Sequence, residues 1–146
     1  MPNFRSEEGD VLAAMTTPGF EFAREIAHAE GIDLGLALMG DPAESPAAAV
    51  LLKMPPGHVL DRHAHATHRV EIVIKGSVIL PDGRVMGPGD VSISAPNEFY
   101  GPLTAGEEGS LSVEIFGSSN GLPPIPPDDD TSTVALAEKI RTSLES

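Results

Sequence analysis

The stretch that decides the fold is residues 57–76, which read GHVLDRHAHATHRVEIVIKG. Three histidines, His63, His65 and His68, lie within six residues here, directly before an apolar segment. In an extended chain, residues two apart project from the same face, so the His63 and His65 rings are expected to point the same way. Two imidazoles on one face, with Glu71 nearby, can converge on one divalent metal ion. The stretch therefore predicts a metal site beside a β-strand.

Composition limits the class of protein and its partners. The chain has 146 residues, which suits one domain, and 40% of them are hydrophobic, which is enough to build a core. The net charge of −13 disfavours nucleic acid and anionic membranes as partners, because both are bound largely through positive charge. There are no cysteines, which excludes disulfides, thiolate metal sites and a cysteine nucleophile. The sequence has no apolar run of about 20 residues and its first residues are polar, so a cytoplasmic location is expected.

Fifteen glycines and 14 prolines divide the sequence into short segments. Most segments read as strands joined by tight turns, which is typical of an antiparallel sandwich or barrel. The predicted strands cover residues 20–26, 32–39, 47–54, 70–80 (two strands around a turn at 75–77), 85–86, 91–94 and 111–116. A helical turn is expected at 11–15. On the last strand we assign Leu111, Val113 and Ile115 to one face, which leaves Glu114 opposite, in solvent or at a subunit contact.

The C-terminal part differs in composition from the rest of the chain. Residues 121–131, GLPPIPPDDDT, read as a stiff, extended linker. Residues 134–144 then place Leu136, Ile140 and Leu144 four apart, which predicts a short helix. The predicted organisation is an N-terminal arm over 1–18, a barrel over 19–120, and a linker with a helix over 121–146.

Two motifs resemble those of the cupin superfamily. The first is a glycine, five residues, His-x-His and a second spaced glycine, and it matches Gly57, His63, His65 and Gly76. The second begins with a Pro-Gly-Asp turn, a strand and a proline loop, and it matches residues 88–97, PGDVSISAPN. The resemblance implies an all-β fold, the double-stranded β-helix or jelly-roll barrel, often assembled as a homodimer.

The chain departs from the cupin pattern at two of the four positions that hold metal ligands in the family. Arg69 stands at the glutamate position and Tyr100 at the third histidine position. Arginine has no acceptor atom and cannot bind a cation. Glu71, two residues further along the strand, is expected on the same inward face, so His63, His65 and Glu71 could hold Fe²⁺, Mn²⁺ or Zn²⁺.

Other arrangements of the same residues are open at this point. Tyr100 could be a fourth ligand, a donor to substrate or an acid/base, and His68 could turn inward or lie in solvent. Alternatively, the barrel binds no metal and Arg69 pairs with Glu71.

The resemblance favours a small cupin metalloenzyme acting on a small carbonyl, enolisable or carboxylate-bearing substrate. Residues 88–114 are similar to the branch that includes dioxygenases cleaving β-diketones and hydroxyacetophenones, while an isomerase, lyase or cyclase is equally compatible. Tyr100, Arg69 and His68 are the predicted catalytic residues, and Arg69 suits a carboxylate or enolate oxygen. The alternative is a non-catalytic cupin domain that binds or senses a small ligand. The predicted partners are a small-molecule substrate and a second copy of the chain.

Overall fold

The structure, a computed structural model, describes residues 1–127 together with Thr142 and Leu144. Two α-helices precede the sheet: α1 (Val11–Met15) and α2 (Glu21–Ala29). The strands are β1 (Asp33–Leu38), β2 (Ala48–Met54), β3 (Val59–Leu60), β4 (Arg69–Ile79), β5 (Val85–Met86), β6 (Val91–Ser94) and β7 (Leu103–Phe116). Short 3₁₀ turns lie at Ser6–Glu8, Pro42–Glu44 and Ser119–Gly121. The predicted helix at 134–144 lies outside the described residues, apart from Thr142 and Leu144.

The strands form one antiparallel sheet of seven strands in the order β1-β2-β7-β4-β5, with β3 added on β7 and β6 on β4. The two longest strands, β4 and β7, pair with each other along most of their length. Their register shifts twice, between Val73 and Lys75 and again between Gly76 and Val78. Such irregularities bend and twist strands, which lets one sheet curve around a core. This confirms the all-β jelly-roll class.

Gly76 lies at the second register shift and shows why the motif needs a glycine there. Its φ is 69°, a left-handed conformation that side chains rarely adopt. A Cβ at this position would also collide with the carbonyl group of Gly109 on β7. The predicted turn at 75–77 is therefore wrong: the glycine allows β4 to continue through the shift as one strand.

The cross-strand register determines which side chains share the barrel interior. One inward row runs across β1, β2, β7, β4 and β6 and contains Leu36, Val50, Glu114, Glu71 and Ser92. The next row contains Leu38, Ala48, Phe116, Arg69 and Ser94. The interior is therefore apolar on the β1–β2 side and polar or charged on the β4–β6 side.

The segment 20–26, predicted as a strand, is helical. Phe22 and Ile26 lie four residues apart, so a helix places them on one face, with Ala23 and Ala27 beside them. Ile26 and Ala27 are buried. The alternation of Phe20 and Phe22 with polar residues spans too few residues to distinguish the two periods, and burial of the helical face decides between them. The helical turn expected at 11–15 is confirmed as α1.

Helix α2 is attached to β1 by polar contacts that hold it beside the barrel opening. The Arg24 side chain donates from Nε to the Leu34 carbonyl at 2.9 Å and from Nη2 to Asp33 Oδ1 at 2.9 Å. His28 lies at the surface, with Nε2 2.8 Å from the same Asp33 oxygen. None of the helices in the described part of the chain has the length and hydrophobicity needed to cross a bilayer.

Candidate active site

A cavity of about 240 Å³ lies between α2 and the barrel interior. Its walls are mostly apolar and include Phe22, Ile26, Leu36, Val50, Leu52, Phe116 and Leu122. Polar side chains also line it: Glu30, His58 and Asp61 are exposed or half-buried, whereas His63, His65 and Glu114 are buried. We call the last three the floor of the cavity. An apolar cavity with a few convergent polar groups is typical of a small-molecule site.

The His63 and His65 rings are packed edge to face, with centroids 5.0 Å apart, and each residue is only 7% exposed. His63 Nδ1 lies 2.6 Å from the Asp61 carbonyl oxygen, and His65 Nδ1 lies 2.7 Å from the Gly121 carbonyl oxygen. A carbonyl only accepts, so both Nδ1 atoms carry the proton and donate. In each neutral ring the lone pair is therefore on Nε2.

Burial keeps both imidazoles neutral. It lowers the pKa of His63, and together with the neighbouring His63 ring it lowers the pKa of His65 to about 4. The nearby charge of Glu114 opposes this shift in both rings without cancelling it. At neutral pH the two rings therefore offer acceptor atoms.

Tyr100 lies opposite His63 and shares both backbone and side-chain hydrogen bonds with it. The two residues form an isolated antiparallel bridge, and the Tyr100 hydroxyl lies 2.8 Å from His63 Nε2. Burial raises the pKa of Tyr100 well above its usual value of 10.0, so the hydroxyl keeps its proton and donates to the imidazole. His65 Nε2, in contrast, has no hydrogen-bond partner among the residues that the structure describes. The lone pair of His65 Nε2 is therefore a free hydrogen-bond acceptor in the floor of the cavity.

Arg69 lies at the centre of the polar half of the barrel and is 2% exposed. Its Nε donates to Glu114 Oε2 at 2.8 Å. Its Nη2 lies 3.1 Å from Glu71 Oε1, close enough for an ion pair but not aligned for a hydrogen bond. The guanidinium carbon lies 4.3 Å from the centroid of the Tyr100 ring, which is cation–π geometry. Burial alone would lower the pKa of Arg69, but Glu114 and the other acidic groups raise it, so Arg69 stays charged.

Glu71 and Glu114 face each other in the register of β4 and β7 and share this one guanidinium. Burial and the charge of Glu114 raise the pKa of Glu71. Burial also acts to raise the pKa of Glu114, but the Arg69 ion pair outweighs it and the pKa falls. Glu114 is therefore the ionised partner of Arg69, and Glu71 is the carboxyl group that takes up a proton more readily.

The structure brings together five of the six predicted site residues: His63, His65, Arg69, Glu71 and Tyr100. The sixth, His68, is exposed. It lines neither the cavity described above nor a second cavity, on the side of the cluster formed by Arg69, Glu71 and Tyr100. His68 directly precedes Arg69, whose side chain is directed inward, so in an extended chain the His68 side chain projects to the opposite face.

The prediction that Glu114 lies in solvent or at a subunit contact is wrong. Glu114 is 6% exposed and lines the cavity floor. The apolar residues Leu111, Val113 and Ile115 lie on the outer face of β7 instead. The sequence did contain a signal for the inward position of Glu114. Glu114 and Phe116 are two residues apart, so they lie on the same face of the strand, and Phe116 is the large aromatic residue of that strand.

The side chains of the cluster do not fit the predicted Fe²⁺, Mn²⁺ or Zn²⁺ site. In the described part of the chain, no three histidine, aspartate or glutamate side chains are grouped closely enough to hold one ion. His63 Nε2 accepts from Tyr100, and Glu71 pairs with Arg69, the alternative left open by the sequence. The buried guanidinium would also repel a cation held beside it.

Comparison with solved structures identifies the fold. The chain is similar to KdgF from Halomonas sp., with 23% identity and a TM-score of 0.51, over 68% of this chain and 84% of that one. It is also similar to the polyketide cyclase RemF from Streptomyces resistomycificus, with 17% identity and a TM-score of 0.52, over 78% and 86%. The protein has a cupin-type jelly-roll fold.

A third similar structure is a tryptophan-to-phenylalanine variant of oxalate decarboxylase from B. subtilis, with 21% identity and a TM-score of 0.50. The match covers 61% of this chain but only 26% of the decarboxylase chain. No protein-family model matches the sequence, and neither does any curated protein. Likeness at these identities concerns the fold, so function must be argued from the site itself.

Proposed function

We propose that this cupin is an enzyme that binds an apolar organic molecule at the mouth of its barrel and catalyses proton transfer on it. The observation that carries the proposal is the free Nε2 of His65 in the floor of an apolar cavity. The reaction belongs to the isomerase, lyase or cyclase class predicted from the sequence. One structural neighbour is named a polyketide cyclase, which is a reaction of this class.

His65 has the properties that a general base requires. The Gly121 carbonyl holds its Nδ1–H and so directs the lone pair of Nε2. The ring is neutral above its pKa of about 4, so at neutral pH the lone pair of Nε2 carries no proton. When Nε2 accepts the substrate proton, the new imidazolium lies near the carboxylate of Glu114, whose charge raises the pKa of His65. A positioned base of this kind contributes roughly 10²–10⁴-fold to a rate.

His63 and Tyr100 hold the base in place. The Tyr100 hydroxyl occupies His63 Nε2, and the Asp61 carbonyl occupies its Nδ1, so His63 has no free site for a substrate proton. Its ring packs against His65 and keeps that imidazole neutral. We therefore assign His63 and Tyr100 to positioning and His65 to proton transfer.

The test needs no knowledge of the natural substrate. Apolar enolisable ketones and 1,3-diketones are incubated in D₂O with the protein, and NMR follows the exchange of their α-protons. We expect the wild-type protein to accelerate exchange for part of the panel and His65→Ala to lose about 100-fold of that rate. His68→Ala, which is exposed and does not line the cavity, is the matched control and should retain it. If these compounds bind but their α-proton exchange is not accelerated, the proposal of an enzyme is contradicted. The alternative of a ligand-binding or sensor domain would then be supported.

A metal-dependent enzyme, including the dioxygenase suggested by the resemblance, is the second candidate. One observation favours it: both imidazoles donate Nδ1–H to backbone carbonyls, which is how metal-binding histidines are commonly oriented. For His63, His65 and one glutamate to serve as ligands, the Tyr100 hydroxyl would have to leave His63 Nε2 and that glutamate would have to leave Arg69. An ion held there would supply Lewis-acid or dioxygen chemistry. Elemental analysis of protein dialysed after purification tests it. A stoichiometric metal that is lost in the His63→Ala, His65→Ala double variant would favour this candidate over metal-free proton transfer.

A further inference from the structure

The polar floor of the cavity offers hydrogen-bond acceptors and no free donor. His65 contributes the lone pair of Nε2, and Glu114 contributes a carboxylate. The donor atoms of His63 and His65 are bound to backbone carbonyls. Tyr100 and Arg69, the strong donors nearby, do not line this cavity. The Tyr100 hydroxyl donates to His63 Nε2, Arg69 Nε donates to Glu114 Oε2, and Arg69 Nη2 forms an ion pair with Glu71.

The charge balance of the same cluster disfavours an anion. One guanidinium, that of Arg69, faces the two buried carboxyl groups of Glu71 and Glu114. The neutral imidazoles of the floor add no positive charge. An entering carboxylate would meet the Glu114 charge in a poorly solvated space, where like charges repel strongly. It would also lose its hydration without gaining a donor in exchange.

The walls define the rest of the molecule that fits. Phe22, Ile26, Leu36, Val50 and Leu52 surround the cavity with aliphatic and aromatic surface. Its volume of about 240 Å³ suits a small ring system and leaves little space for a second polar group with its water.

We infer that the substrate is an apolar ring compound whose one polar end is a hydroxyl group, an enol or a phenol, donating to His65 Nε2, and that the cavity rejects carboxylates of the same skeleton. This rests on the proposed function, because removal of an enol hydroxyl proton by His65 gives an enolate, and reprotonation of that enolate at carbon is the α-proton exchange described above. In that step the O–H bond breaks, the proton binds Nε2 and the electron pair stays on the oxygen. A carboxylate-bearing substrate gripped by Arg69, as the sequence suggested, would need a guanidinium that the two glutamates already engage.

Matched probes on one skeleton test the inference by calorimetry at pH 7: 2-naphthol, 2-naphthoate, naphthalene and 2-naphthylmethylammonium. We expect naphthol to bind about tenfold more tightly than naphthalene and naphthoate, since one good hydrogen bond to a buried acceptor is worth roughly 1 kcal/mol. His65→Leu should remove the advantage of naphthol over naphthalene. Glu114→Gln should reduce the difference in affinity between naphthol and naphthoate, because it removes the charge that repels the carboxylate.

A second readout requires no variant. In the wild-type protein labelled with ¹⁵N at histidine, the His65 Nε2 resonance should shift when naphthol binds and stay in place with naphthalene. Naphthoate binding as tightly as naphthol, the ammonium compound binding tenfold better, or none of the four binding would each overturn the inference. The binding series and the exchange test can fail separately. A preference for naphthol without α-proton exchange contradicts only the proposed catalysis, and exchange without that preference contradicts only the inferred substrate class.

Discussion

Arg69 is the residue that most changes the chemistry of this barrel. It stands where the cupin pattern has an acidic ligand, and the structure buries its cation between two glutamates. Its positive charge therefore replaces a charge of opposite sign at the centre of the polar cluster. The carboxylates it holds are withdrawn from any other positive partner.

Replacing Arg69 by glutamate should convert the cluster into a metal site. Arg69→Glu leaves three buried carboxyl groups without a cation, so we expect a loss of about 3–5 kcal/mol of stability without metal. Zn²⁺ or Mn²⁺ should bind the variant and restore much of that loss, which thermal unfolding and calorimetry can measure together. Arg69→Gln, which lacks the new carboxylate, is the control and should gain no comparable affinity. Equal metal affinity in the wild-type protein and in Arg69→Glu would show that residue 69 does not govern metal binding.

The Tyr100 hydroxyl and its ring have separable effects. Tyr100→Phe leaves His63 Nε2 buried without a donor but keeps the aromatic face over Arg69. We expect the free energy of unfolding to fall by about 1–3 kcal/mol. Tyr100→Leu also loses the cation–π contact and should be less stable than Tyr100→Phe. Urea unfolding measures both, and a Tyr100→Phe variant as stable as the wild type would mean that the hydroxyl bond contributes nothing.

The buried imidazoles predict a specific dependence of stability on pH. His65 has a pKa of about 4 in the folded protein against an ordinary value of 6.5, and the pKa of His63 is also lowered. Between these values the unfolded chain binds more protons than the folded one, so stability is fully present above pH 6.5 and falls as the pH drops towards 4. The loss should reach a few kcal/mol in urea unfolding at stepped pH. His65→Gln should flatten the curve, and an unchanged curve in this variant would exclude His65 as its source.

At the scale of elements, the antiparallel pairing of β4 with β7 holds the site together. This pairing places Arg69 and Glu71 against Phe116 and Glu114, and the register shifts beyond Val73 allow both strands to curve. This pairing depends on glycines, because the backbones of Gly76 and Gly109 approach so closely that a side chain on Gly76 would not fit between them.

Gly76→Ala should be among the most destabilising substitutions of the sheet. The new Cβ would collide with the Gly109 carbonyl and also force alanine into a φ of 69°. Gly83→Ala is the matched control, since Gly83 has a φ of 87° but no atom within 4 Å of a new Cβ. We expect about 1 kcal/mol of lost stability at Gly83, from the backbone conformation alone, and several times that at Gly76. Similar losses at both positions in thermal unfolding would remove the steric argument.

At the scale of the whole molecule, the outer face of the sheet is apolar. Two outward rows cross β6, β4 and β7, and on β6 the exposed fractions of Val91 and Ile93 are 52% and 69%. The rows are Val91, Ile72 and Val113, and Ile93, Val70 and Ile115. A contiguous apolar surface of this kind commonly marks an interaction site.

We propose that this face joins two copies of the chain, the homodimer expected from the resemblance. Sedimentation should show a dimer for the wild-type protein and a monomer for Ile93→Lys, because a lysine there would be buried at the interface. Val85→Lys, on β5 and 60% exposed, introduces the same charge away from the two rows and should stay dimeric. A monomeric wild-type protein, or an Ile93→Lys variant that remains dimeric, would contradict this assignment.

Local sequence determined much of this fold. The spacing of His63 and His65 was sufficient to predict that they share one buried face, and the glycines and prolines predicted most strand ends, because turn conformation and strand parity depend on neighbouring residues. Tertiary structure alone decided the chemistry of the site. Arg69 and Glu114 are 45 residues apart and meet only through the register of β4 against β7, and packing of α2 on the barrel decided between helix and strand. Such contacts depend on how distant strands align, which no local pattern encodes.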